Sequence, residues 1–176
     1  MCDELTLAHY LYNINILSFV LMPNHFHLLA QTPEANLSDA MRYFMCSTSK
    51  AINVRAHKIN QNHGSRYFRC LIKKEIYFQN VYKYVYRNPV TAGLSKTVEA
   101  YRYSSIQMYL GLQTIKVPLS SDEQLMSYTY KTLSWLNLSP QLEDITSIKR
   151  ALKRGEFKLA ADLKSRRKNR LENNFI

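Results

Sequence analysis

Glycine is scarce, four in 176 residues, and proline nearly as scarce at five. That shortage argues against a loop-rich architecture, because turns draw on these two residues for special backbone angles. The three cysteines, Cys2, Cys46 and Cys70, are scattered and odd in number, with no Cys-x-x-Cys pair. A secreted disulfide framework is excluded, and reduced thiols in a cytosol are expected. Met1 is followed by Cys-Asp-Glu rather than a basic and then apolar run, so no signal peptide is expected. No apolar run approaches the length that spans a bilayer, so no membrane partner is expected. Acidic residues are also few, 13 against 24 Lys and Arg, for a formal charge of +11. Such a field attracts polyanions, of which nucleic acid is the commonest. What the chain does have is a globular composition, 46% hydrophobic and 21% charged, with 13 Tyr and 7 Phe among its basic residues. Aromatic rings and cations together suit single-stranded nucleic acid, where bases stack and phosphates meet Lys and Arg. An ordinary basic protein with tyrosines in its core has the same composition.

Residues 4–14 have a rough helical period in Leu5, Leu7, Tyr10, Leu11 and Ile14. Residues 15–22 and 25–32 read as two strands around the turn pair Pro23-Asn24. A helix is expected from Asn36-Leu37-Ser38-Asp39 to about His57, with Leu37, Met41, Phe44, Thr48, Ala51 and Ile52 inward. Residues 58–65 read as a loop, and Arg66–Lys74 as a third strand. A helix follows from about Phe78 to Arg87, expected to stop near Asn88 because Pro89 disfavours helical geometry before it. Beyond Val117-Pro118, helices are expected over Ser121–Leu136, 142–154 and 157–170. Residues 141–176 hold ten Lys or Arg against five Asp or Glu. The densest run there is Lys164-Ser165-Arg166-Arg167-Lys168. It reads either as a solvated face or as a nucleic-acid contact.

The stretch Phe19-Val20-Leu21-Met22-Pro23-Asn24-His25-Phe26-His27-Leu28-Leu29 organises the rest. Side chains alternate along a strand, so His25 and His27 share one face. Two neutral imidazoles side by side can hold one divalent metal. Two polar residues on a solvated strand face would have the same spacing. The second informative stretch is Val81-Tyr82-Lys83-Tyr84-Val85-Tyr86-Arg87-Asn88-Pro89. Tyr84 and Asn88 are four apart and share a helix face. One of Tyr82 and Tyr86 is expected to be core.

Val20–Leu29 resembles the His-apolar-His signature of the single-tyrosine HUH transposases, and within them the REP-associated tyrosine transposases. Tyr84-Val85-Tyr86-Arg87-Asn88-Pro89-Val90-Thr91-Ala92-Gly93 resembles that family's tyrosine helix, Tyr-x-x-x-Asn-Pro-Val-x-Ala-Gly. Arg66-Tyr67-Phe68 resembles its Arg-aromatic element, and Tyr101-Arg102-Tyr103-Ser104-Ser105 its Tyr-x-Trp-Ser-Ser motif. The resemblance covers roughly residues 5–110. It implies Tyr84 as nucleophile and His25, His27 and Asn88 as ligands of Mg²⁺ or Mn²⁺. The implied reaction is cleavage and rejoining of single-stranded hairpin DNA through a 5′-phosphotyrosine, in a cytoplasmic, nucleoid-associated protein with a homodimer left open. Candidate DNA contacts are Arg66, Arg69, Lys73, Lys74, Arg87, Lys164, Arg166, Arg167 and Lys168.

The expected fold is α+β, a ferredoxin/RRM-like antiparallel sheet with helices on one face, plus a helical C-terminal extension. Residues 1–112 would form the catalytic domain and 113–176 the basic extension. The family's first strand has no counterpart before Met1, so the start lies upstream, another chain supplies the strand, or the copy is decayed. Two other functions stay open: an inactive nucleic-acid-binding relic, and a hydrolase that uses His25 and His27 with water.

Overall fold

The computed structural model describes residues 1–57, 67–112, 116–120, 128–161 and 168–176. Among these the order is α1 (Cys2–Tyr12), β1 (Asn15–Leu21), β2 (Phe26–Gln31), α2 (Leu37–Ala56), α3 (Glu75–Thr91), α4 (Ile106–Tyr109), α5 (Thr129–Asn137) and α6 (Leu142–Leu152). This is the expected α+β class, with an antiparallel β1–β2 sheet. The chain divides into two compact units, each built from two stretches. They are Met1–Tyr67 with Arg102–Tyr128, and Phe68–Tyr101 with Thr129–Ile176.

In the first unit, Leu5 and Ala8 of α1, Ile16 and Phe19 of β1, and Ala40 and Phe44 of α2 form the buried core. The helix expected near the start is present, but Leu7, Tyr10 and Leu11 face outward at 46, 71 and 62% exposure. The buried residues of α1 are Leu5 and Ala8, three apart and so on one face of the helix. In α2 the inward face is Ala40, Met41, Phe44 and Thr48, whereas Ile52 lies on the exposed side. Asn36 precedes α2, as expected. Its amide donates to Tyr12 O at 2.8 Å and so satisfies a carbonyl at the end of α1.

β1 is bordered along both edges. On one side Val20 pairs His27 and Leu21 pairs Phe26. On the other, single bridges join Val20 to Ser104 and Ile16 to Leu119. Leu21 N–H donates to Tyr103 O and Ser105 N–H to Phe19 O, while the Ser105 hydroxyl accepts from Phe19 N–H at 2.9 Å. The Ser104-Ser105 pair therefore closes the second edge of β1, where bare backbone groups would otherwise be buried.

In the second unit α3 begins three residues before the expected start and runs through Pro89. Pro89 lies two residues before the end of the helix, so it removes one ladder bond close to where the ladder ends anyway. Gly93, at φ +71°, then ends the helix. Gly93 N–H donates to Val90 O and Leu94 N–H to Pro89 O, the paired bonds of a glycine-terminated helix. The expected third strand is absent among the described residues. Leu71 makes one parallel bridge to Glu156, with bonds to Gly155 O and from Phe157 N–H. The expected helix over 157–170 is likewise not formed at Phe157–Ala161. Phe157 is buried against Tyr77 and its N–H is held by Leu71 O, a bond to a distant residue. A single 3₁₀ turn at Arg170–Glu172, capped by the Asn169 side chain, follows later.

Candidate active site

Met22-Pro23-Asn24-His25 is the hairpin loop between β1 and β2, closed by a bond from Met22 N–H to His25 O at 2.8 Å. Proline and asparagine supply the turn geometry there. His25 is the last loop residue and His27 the second residue of β2. Phe26 between them packs edge-on against Phe44 and also against Phe19, which leaves the two imidazoles together. Their rings are 4.9 Å apart and their Nε2 atoms 3.1 Å apart.

That pair of nitrogens bears directly on metal binding. Two cis ligands of an octahedral divalent ion, each about 2.1 Å from it, lie about 3 Å apart. His25 Nδ1–H donates to Asn24 Oδ1 at 2.6 Å, which leaves the His25 Nε2 lone pair for a ligand. His27 is lowered to about 4, first by burial and then by the neighbouring His25. It is therefore neutral, the ligating form, at physiological pH. Among the described residues no three His, Cys, Asp or Glu side chains converge. A metal on this pair would complete its shell with amide, water or phosphate oxygens, which suits Mg²⁺ or Mn²⁺.

Tyr84 and Asn88 lie in the second unit, on α3. From Val81 to Pro89 every residue is buried except these two, which are half-exposed and one helical turn apart. The expected shared face exists. The Asn88 amide donates to Tyr84 O at 3.0 Å. Burial pushes the Tyr84 phenol up, and a hydrogen bond with the Asn88 side chain acts against it. Tyr82 and Tyr86, each 1% exposed, stack edge-on with centroids 4.9 Å apart and are both core.

The basic candidates separate by environment. Arg69, Lys73, Lys74 and Lys168 are exposed. Lys73 pairs with Glu156 at 2.9 Å and Lys74 with Glu172 at 3.0 Å. Arg66, Lys164, Arg166 and Arg167 lie outside the described residues. Arg87 has a different task from the expected DNA contact. It is 7% exposed, and its guanidinium donates to Leu136 O, Asn137 O and Ser139 Oγ, capping the end of α5. Its position among buried residues on α3 is the signal that could have assigned it inward.

Residues 7–88 match the family model described as IS200-like transposase. That stretch contains His25, His27, Tyr84 and Asn88. The match bears out the resemblance to single-tyrosine HUH transposases and supports a transposase role in general, with the DNA binding and metal dependence general to that family. No curated protein and no solved structure matches the chain. No helix among the described residues is long and apolar enough to cross a membrane.

Proposed function

We propose, from the premise that residues 7–88 are an IS200-like transposase segment, that the chain cleaves and rejoins single-stranded DNA at a hairpin of the repetitive extragenic palindrome type. The observation that carries this reading is the His25–His27 pair, with Nε2 atoms 3.1 Å apart, inside a stretch that also carries Tyr84 and Asn88.

Tyr84 is the nucleophile. Its oxygen forms a bond to phosphorus as the bond to the 3′ oxygen breaks. The product is a 5′-phosphotyrosine and a free 3′-OH, the phenol proton passing to solvent and the leaving oxygen taking one up. In the reverse sense a 3′-OH attacks the phosphotyrosine and rejoins strands without ATP. A phenol with its pKa raised by burial is protonated at neutral pH, so the step needs help with charge. His25 and His27, with Asn88 by the family resemblance, would hold Mg²⁺ or Mn²⁺. The ion would supply Lewis-acid stabilisation of the phosphate and of the leaving oxygen. Arg69, Lys73, Lys74 and Lys168 meet phosphates, as do Arg66, Lys164, Arg166 and Arg167 in this reading, in a nucleoid-associated protein of the cytoplasm.

The test is a denaturing gel of the protein with labelled hairpin DNA and Mn²⁺, beside Tyr84→Phe and His25→Ala. A protein-linked DNA band that disappears in both variants is the expected result. Cutting that persists in Tyr84→Phe without an adduct would establish a water-using hydrolase instead. DNA binding with neither cut nor adduct in the wild type would mark an inactive relic.

A further inference from the structure

Positions 80, 83 and 87 lie on one side of α3, where an amphipathic helix would carry apolar residues. Here they are Asn80, Lys83 and Arg87, exposed by 0, 1 and 7%. Each reaches main chain outside the helix. Asn80 donates to Asn174 O at 3.2 Å and accepts from Ile176 N–H at 2.8 Å. Lys83 Nζ donates to Ile176 O at 2.9 Å, an oxygen that also accepts from Trp135 Nε1 at 2.9 Å. Lys83 Nζ lies 5.1 Å from the centre of the Trp135 ring. Arg87 continues the seam one turn later, donating to Leu136 O and Asn137 O at 2.9 and 2.7 Å.

Apolar side chains of similar volume would hold a helix to its neighbours at least as well as buried cations. What they would lack is direction. Apolar contact is non-directional, and a helix resting on it can turn or slide at little cost. Hydrogen bonds to fixed main-chain atoms have preferred angles and lengths and resist such movement. At about 100° per residue the seam of residues 80, 83 and 87 is centred about 90° around the helix from Tyr84 and Asn88. Turning the helix by about 10° would carry an atom about 6 Å from its axis by about 1 Å. A displacement of that size at a reacting group lowers a rate by roughly a hundredfold.

We propose that Asn80, Lys83 and Arg87 are positioning residues, a buried polar seam that fixes the rotation of α3 about its axis and so aims Tyr84 and Asn88. Its catalytic consequence rests on the reading of Tyr84 as the nucleophile. The residues that receive the seam are Leu136 and Asn137 at the end of α5, and Asn174 and Ile176. The C-terminal segment thereby serves the tyrosine helix through its backbone, whatever its own side chains do.

The experiment uses the full chain with Lys83→Met and, as a milder change, Trp135→Phe, which removes one donor to Ile176 O and keeps Lys83. Three quantities are read: DNA affinity, the single-turnover rate of adduct formation at saturating hairpin DNA with Mn²⁺, and the fluorine NMR spectrum of fluorotyrosine placed at position 84. In folded Lys83→Met we expect unchanged affinity, an adduct rate lower by roughly tenfold to a hundredfold, and a fluorine signal that broadens or splits. Trp135→Phe is expected to move the rate and the signal in the same direction by less. A folded Lys83→Met protein with the wild-type rate and one unshifted fluorine signal overturns the proposal. If Lys83→Met does not fold, unchanged rate and signal in Trp135→Phe overturn it. If the wild type forms no adduct, the nucleophile reading falls by itself, and the fluorine signal alone then decides whether the seam orients Tyr84.

Discussion

His27 and Arg87 show how far a side chain's surroundings revise its chemistry. His27 follows an exposed His25 by two residues, yet burial takes it to about 4 while the unfolded chain keeps an ordinary imidazole. A base lowered in the folded state holds fewer protons than the unfolded chain between the two values. The stability it contributes is complete above the unfolded pKa of about 6.5 and is lost as pH falls from there through 4. Metal-free wild-type protein should therefore lose more melting temperature between about pH 7 and about pH 4.5 than His27→Gln does. Calorimetry at both pH values checks this, and equal losses would refute it. Arg87 is the opposite case, a residue whose charge suggested a phosphate and whose structure supplies carbonyls. Arg87→Met strips two main-chain oxygens of this donor, the buried Leu136 O and the part-buried Asn137 O. It should cost about 2–4 kcal/mol in urea unfolding, well above the cost of losing a solvated cation. A loss within a few tenths of a kcal/mol would mean the cap contributes nothing.

At the scale of elements, agreement between sequence and structure follows how local the decisive forces are. The hairpin and α2 were legible because alternation, turn residues and a start signal act over a few neighbours. α3 was legible as a helix but not in its length. Pro89 reads as a stop until its place relative to Gly93 is known, because the same proline two residues from the end costs little. The third strand, over its described residues, and the helix expected from Phe157, at Phe157–Ala161, were misread for one shared reason. Leu71 and Phe157, far apart in sequence, bond to each other, and neither stretch is free to follow its own propensity. Ser105 belongs to the same class of long-range feature, since it serves the edge of β1 from 86 positions away. Ser105→Ala leaves the buried Phe19 N–H without that acceptor and should cost about 1–3 kcal/mol. Urea denaturation of the variant measures it, and Ser105→Thr, which keeps the hydroxyl, should recover part of the loss.

For the whole molecule, the charge of +11 is the property that any polyanion meets first. Binding of single-stranded DNA should weaken steeply with salt, with a log–log slope of about 0.7 per phosphate contact. Lys73 and Lys74 are already paired with Glu156 and Glu172 across exposed surface, where such pairs are weak and exchange readily. Changing both to Ala should reduce the slope by about 0.7 for each lysine that meets a phosphate. Titrations at several salt concentrations settle it, and an unchanged slope would remove these two lysines from the interface.

By itself the sequence determined the α+β class, the His25–His27 pair on one side of a hairpin, and the common face of Tyr84 and Asn88. The two pairs depend on spacings of two and four residues, and the class on such local patterns taken element by element, where strand and helix periods dictate which side chains travel together. Only the tertiary structure decided that Arg87 caps α5, that both Tyr82 and Tyr86 are core, and that the tyrosine helix runs through Pro89. It also decided that Asn80 and Lys83 hold the backbone of Asn174 and Ile176. These outcomes depend on partners many residues distant. A buried polar group takes whichever hydrogen-bond partner the folded chain brings within reach, and local periodicity carries no record of that partner.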